Sequence, residues 1–120
     1  MSKLFELYDL RVTVEAIEGR SVCSMAVGDY FELTHSNRLC IPEGKHFCVY
    51  ALSAVLPLLA AKQRPSHPND WMTSDADVAC PDPNCASRLR ITRLGRRRFS
   101  HAATTAVPLP NDAGGSATGG

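Results

Sequence analysis

Between positions 8 and 17 apolar and polar side chains alternate: Leu10, Val12, Val14 and Ala16 fall on one face, Arg11, Thr13 and Glu15 on the other. This is the pattern of a strand with one buried side. Gly19 and Arg20 then predict a turn. Cys23 follows on a connection that ends at the turn Val27-Gly28-Asp29. Residues 30–34 and 39–41 read as two short strands of a hairpin, joined by His35-Ser36-Asn37-Arg38, with Asn37 available for a positive-φ position. His35 is expected to be exposed on that turn. Cys40, between Leu39 and Ile41, is expected to be a small buried filler.

After Pro42-Glu43-Gly44 the pattern changes period, and residues 47–62 read as a helix whose apolar positions surround the axis. That distribution predicts burial on more than one side. Pro57 removes the bond that would reach the Ser53 carbonyl, so a kink is expected there. A polar connection with Pro65 and Pro68 leads to Trp71, expected to anchor the loop in the core, with Asn69 or Asp70 capping a short helical turn. Residues 78–80 and 88–94 read as strands, the second with Leu89 and Ile91 inward. Beyond Gly95 the chain is basic and then rich in Gly, Ala and Pro, with few large apolar groups to offset ordering entropy. The predicted architecture is α+β: a small antiparallel sheet packed on one main buried helix. Residues 1–95 would form a single domain and residues 96–120 a disordered tail.

A chain of 120 residues, 44% of them hydrophobic, fits one domain with a modest core. Its longest apolar run, residues 47–61, contains Pro57 and falls short of the roughly 20 residues a bilayer requires. Acidic residues near the start do not suit a signal peptide, so a cytoplasmic protein without a membrane span is expected. The net charge of +1 hides an asymmetry: residues 1–85 hold 7 Lys+Arg against 11 Asp+Glu, whereas residues 86–98 hold six arginines and no acid. A charge run near a terminus is more often solvated than bound to phosphate, so nucleic acid is not the expected partner.

Five cysteines, an odd number in a chain expected to stay reduced, do not suggest a disulfide framework. The most chemically specific stretch is Cys80-Pro81-Asp82-Pro83-Asn84-Cys85. Two prolines and two turn-forming side chains stiffen the loop, which should bring both sulfurs to one side. Cys48 falls at the first turn of the predicted helix, where unpaired N–H groups favour a thiolate. With Cys23, these give four sulfurs at Cys23, Cys48, Cys80 and Cys85, the number that tetrahedral zinc or an iron–sulfur cluster takes. The C-x₄-C spacing is wider than the C-x₂-C of structural zinc knuckles. Were only three to bind, Asp82, Asn84 or His46 could assist at the open position. The alternatives are a metal-free thiol protein working through Cys48, with a knuckle cysteine resolving it, and a structural or partner-binding domain with buried cysteines.

Tyr8-Asp9-Leu10-Arg11-Val12-Thr13-Val14, Cys23, Val27-Gly28-Asp29, Ile41-Pro42-Glu43-Gly44, Phe47-Cys48-Val49-Tyr50-Ala51, Leu56-Pro57, Asn69-Asp70-Trp71-Met72 and Cys80-Pro81-Asp82 occur in that order. On these motifs, over about residues 7–94, the chain resembles a family of small, cysteine-containing, largely uncharacterised bacterial and archaeal proteins. Members often carry a second cysteine where this chain has Ser21, and adjacent cysteines where it has Ala79-Cys80. The resemblance implies no particular activity.

Overall fold

The computed structural model describes residues 3–18 and 24–110. The N-terminal alternation forms β1 (Leu4–Ile17), which begins four residues earlier than the pattern predicts. The hairpin is β2 (Tyr30–Thr34) with β3 (Arg38–Cys40), and the later strands are β4 (Asp77–Ala79) and β5 (Ser87–Ser100). All pairings are antiparallel, in one five-stranded sheet of order β3-β2-β1-β5-β4. The long central pair β1 and β5 carries the shorter strands on its flanks. Helix α1 (Val49–Gln63) crosses one face of this sheet. The short helices are α2 (Trp71–Ser74) and α3 (His101–Thr104). None of the described helices is long and apolar enough to cross a membrane.

The core is the one the alternation implies. Leu10, Val12 and Val14 of β1 meet Phe31, Leu89 and Ile91 of the neighbouring strands and Ala51, Val55 and Leu59 of α1, with Met25 closing one end. Each large aliphatic or aromatic side chain removed from water here stabilises the fold by about 1.5–3 kcal/mol. Phe47, just ahead of α1, sets its ring edge-on to Phe31 at 4.8 Å and so fixes where the helix begins. The turn at Val27-Gly28-Asp29 is also as expected. Gly28 takes φ +97°, and the segment is pinned by Val14 N–H to the Asp29 carbonyl at 2.8 Å and Gly28 N–H to the Val14 carbonyl at 2.9 Å.

Several expectations are corrected. The helix is not buried on more than one side: Ala51, Val55 and Leu59 pack on the sheet, while Val49, Tyr50 and Leu56 are 57–69% exposed. With one sheet below it and no second layer among the described residues, only one face can be covered. Trp71 does not anchor its loop and is 58% exposed. The loop is held by polar contacts instead: the Asp70 carboxylate accepts from Met72 N–H at 2.9 Å, and the Lys62 ammonium donates to the Met72 carbonyl at 2.6 Å and to the Asp75 carbonyl.

Cys40 is exposed rather than buried, because β3 is a three-residue edge strand whose residues are all exposed. In the hairpin turn the positive φ falls on His35 (52°) and Ser36 (74°), not on Asn37. Tertiary contacts select these two. His35 N–H donates to Asp9 Oδ1 at 3.3 Å, Gln63 Nε2 donates to the Ser36 carbonyl at 2.9 Å, and His35 is half-buried in consequence.

Arg96, Arg97, Arg98, Phe99 and Ser100 are strand rather than tail: β5 continues through them, paired in register with Tyr8, Leu7, Glu6, Phe5 and Leu4. Phe5 stacks on Phe99 at 5.5 Å, and the basic run lies against the acids of β1. Helix α3 follows, with His101 N–H on the Lys3 carbonyl at 3.0 Å. The expected disorder of residues 111–120, the Gly19-Arg20 turn and Cys23 lie outside the described residues.

Candidate thiol site at the β4–β5 turn

The segment joining β4 to β5 is the stiff turn that its prolines demand. Cys85 N–H and Ala86 N–H both reach the Asp82 carbonyl, at 3.1 and 3.4 Å, and the Asp82 carboxylate accepts from Asn84 N–H at 2.9 Å. Ala86 then takes φ +52°, a conformation that costs a residue with a Cβ of order 1–3 kcal/mol. The bond from Glu18 N–H to the Ala86 carbonyl at 3.1 Å, from the end of β1, holds it there. The two cysteines share one anchor. Cys80 N–H donates to the Ser87 carbonyl at 2.9 Å, and Cys85 Sγ lies 3.0 Å from Ser87 Oγ.

The two thiols differ in access. Cys85 is 1% exposed, beneath the turn, whereas Cys80 is half-buried. Cys80 lines a groove of about 450 Å³ together with Asp82, Glu18 and Arg88, whose guanidinium lies 2.6 Å from the Glu18 carboxylate. Of Asp82 and Asn84, singled out as possible helpers, the Asp82 carboxylate is taken up by the turn, accepting from the backbone N–H of Asn84.

Cys48 occupies the N-cap of α1 with extended backbone (φ −65°, ψ 127°), and its carbonyl accepts the first helical bond, from Leu52 N–H at 3.0 Å. Its side chain makes no capping bond and packs, half-buried, against the core. His46 is exposed and its Nε2 lies 3.1 Å from the Ser24 carbonyl. Among the described residues no three His, Cys, Asp or Glu side chains stand together as a ready metal-binding group. Cys80 and Cys85 thus bracket one turn, Cys48 sits at the helix start, Cys23 lies outside the described residues, and Cys40 is on the opposite edge strand.

What the sequence does not single out is the bracing around these positions. Ser87 is buried and ties both knuckle cysteines. Arg93 leaves the basic run to cap the end of α1, donating to the Lys62 and Arg64 carbonyls at 2.8 Å each and to Ser66 Oγ at 2.6 Å. A helix C-terminus needing donors is a general expectation that could have pointed to such a cation, but not to Arg93 in particular. Comparison of the chain with protein-family models, curated proteins and solved structures finds no match.

Proposed function

We propose that this is a small metal-binding protein in which cysteine thiolates hold zinc or an iron–sulfur cluster. The observation that carries the reading is the β4–β5 turn, where a proline-stiffened loop sets Cys80 and Cys85 at its two ends and Ser87 fastens both. Two thiolates fixed on one rigid turn lose little freedom when they bind a soft cation, and the cation removes their mutual repulsion. Cys23 and Cys48 are the further sulfur donors of this reading; Cys48 does not stand with Cys80 and Cys85 in this structure, so the reading requires the metal to draw it to the turn. The Ser87 hydroxyl, 3.0 Å from Cys85 Sγ, would orient that ligand by hydrogen bonding.

Zinc and iron content, with a visible spectrum, measured on protein purified without oxygen tests this directly. Bound metal should be lost or sharply reduced in Cys80→Ser and Cys85→Ser and kept in Cys40→Ser. Because Cys85 is buried, the half-exposed Cys80 is the decisive variant. Metal-free protein with no affinity for added zinc would end the proposal. A second reading rests on Cys48, whose half-buried thiol at the N-cap of a fifteen-residue helix makes no capping bond. It predicts that Cys48 is alkylated faster than the exposed Cys40 in metal-free protein, with the difference abolished in denaturant.

A further inference from the structure

The arginines of β5 divide into those that have a protein partner and one that does not. Arg88, Arg90, Arg96 and Arg97 face Glu18, Glu15 with Asp77, Glu6 and Asp9 respectively, at 2.6–3.5 Å. Arg93 is taken up by the end of α1. Arg98 has no ion pair or hydrogen bond among the described residues, although Glu6 is its register partner, because the Glu6 carboxylate lies with Arg96 at 3.5 Å. Arg38, at the start of β3, is likewise without an acid.

These two cations line the same groove. It has a volume of about 400 Å³ and runs between the β2–β3 turn, the end of β5 and α3; its lining contains Arg38, Arg98, His35, Asn37 and Thr104 but no carboxylate. The nearby Asp9 carboxylate is already occupied, accepting from Arg97 at 2.7–3.1 Å and from His35 N–H at 3.3 Å. Two arginines lining one concave space bring like charges together, and elsewhere along β5 such charge is met by an acid or, for Arg93, by the carbonyls at the end of α1. Both walls are fixed, one through Gln63 Nε2 on the Ser36 carbonyl at 2.9 Å and the other through the β1–β5 ladder.

We infer that the groove between the β2–β3 turn and the end of β5 binds a phosphate group, with Arg38 and Arg98 as its two guanidinium ligands. The planar fork of arginine matches phosphate oxygens in bidentate fashion, and the amide of Asn37 adds neutral donors at the rim. The volume falls in the range of small-ligand pockets and leaves room beside the phosphate for a few carbon atoms. The groove lies at the opposite end of β5 from the cysteine turn, so the inference is independent of any metal.

Titration calorimetry of the whole chain at constant ionic strength, with inorganic phosphate in one arm and glycerol 3-phosphate in the other, tests it. Saturable binding of one phosphate per chain is expected, weakened tenfold or more by Arg38→Gln and by Arg98→Gln. Arg96→Gln, which alters charge equally but outside the groove, should leave the affinity within twofold. Both positions are exposed, and circular dichroism of each variant checks that the fold is kept. Tighter binding of the ester assigns the site to a small phosphorylated molecule, and equal binding assigns it to free phosphate. Absence of saturable binding in both arms, or binding that Arg98→Gln leaves unchanged, overturns the inference.

Discussion

The ammonium of Lys62 lies almost wholly out of water, at 4% residue exposure, and donates to the Met72 and Asp75 carbonyls. Burial pushes its pKa below 10.5, the neighbouring Arg93 acts in the same sense, and Asp75 and Asp70 oppose. The folded state therefore holds this proton less tightly than the unfolded state, and the cost of keeping the charge fades as pH rises through the folded value toward 10.5. The contacts still favour Lys62 over an apolar residue of similar length: Lys62→Met should cost about 1–3 kcal/mol in urea unfolding at neutral pH, since two carbonyls lose their donor. Asp9 shifts for a different reason. Its hydrogen bond to Arg97 holds the carboxyl below the usual 3.8, helped by His35 N–H and opposed by burial. A depressed folded pKa contributes stability that is fully present above 3.8 and lost as pH falls through the folded value. Asp9→Asn should thus be less stable than the parent at pH 7. The gap should close in acid, and an equal gap at both pH values would count against the Asp9–Arg97 pair as its source.

At the scale of the element, α1 divides into a face that holds the fold and a face that does not. Leu59, 4% exposed against the sheet, is a site where Leu59→Ala should remove about 2–5 kcal/mol. Trp71, although far larger, is 58% exposed, and Trp71→Ala should change stability by no more than about 0.5 kcal/mol. Parallel denaturant titrations of the two variants decide this. A greater loss at Trp71 than at Leu59 would mean that the indole is covered in solution. The all-round apolar character of residues 47–62 could not distinguish these faces, because burial is set by what lies beside a helix and not by its own composition.

At the scale of the whole molecule, the described residues are built along one long antiparallel pair. β1 and β5, each fourteen residues long, continue as a two-stranded ribbon past β2 and β4. A bare two-stranded ribbon is marginal in water. Here Phe5 on Phe99, the buried Leu7, Arg97 on Asp9 and Arg96 near Tyr8 at 5.8 Å support it. Amide hydrogen exchange should accordingly show protection at alternate positions from Arg96 to Ser100. Exchange there as fast as in an unfolded peptide would remove the ribbon from the solution structure.

The residues themselves determined the elements: alternation at Leu10, Val12 and Val14 makes a half-buried strand wherever it lies, Pro81 and Pro83 force a turn, and Asp70 caps the helix that follows it. They also placed Cys80 and Cys85 at the two ends of that turn and Cys48 at a helix start, since both are consequences of local sequence. Pairing across long separations was decided only in three dimensions. The arginines of positions 88–98 look like an unbalanced run until β5 is laid beside β1, where Glu6, Asp9, Glu15 and, just past the end of the strand, Glu18 lie seventy or more residues away in the chain. The exposure of Cys40 and Trp71, the positive φ at His35 and Ser36, and the burial of Lys62 depend likewise on which surfaces meet. A local pattern specifies what a segment can form; the free energy of covering it, or of pairing its charge, belongs to partners that the pattern does not contain.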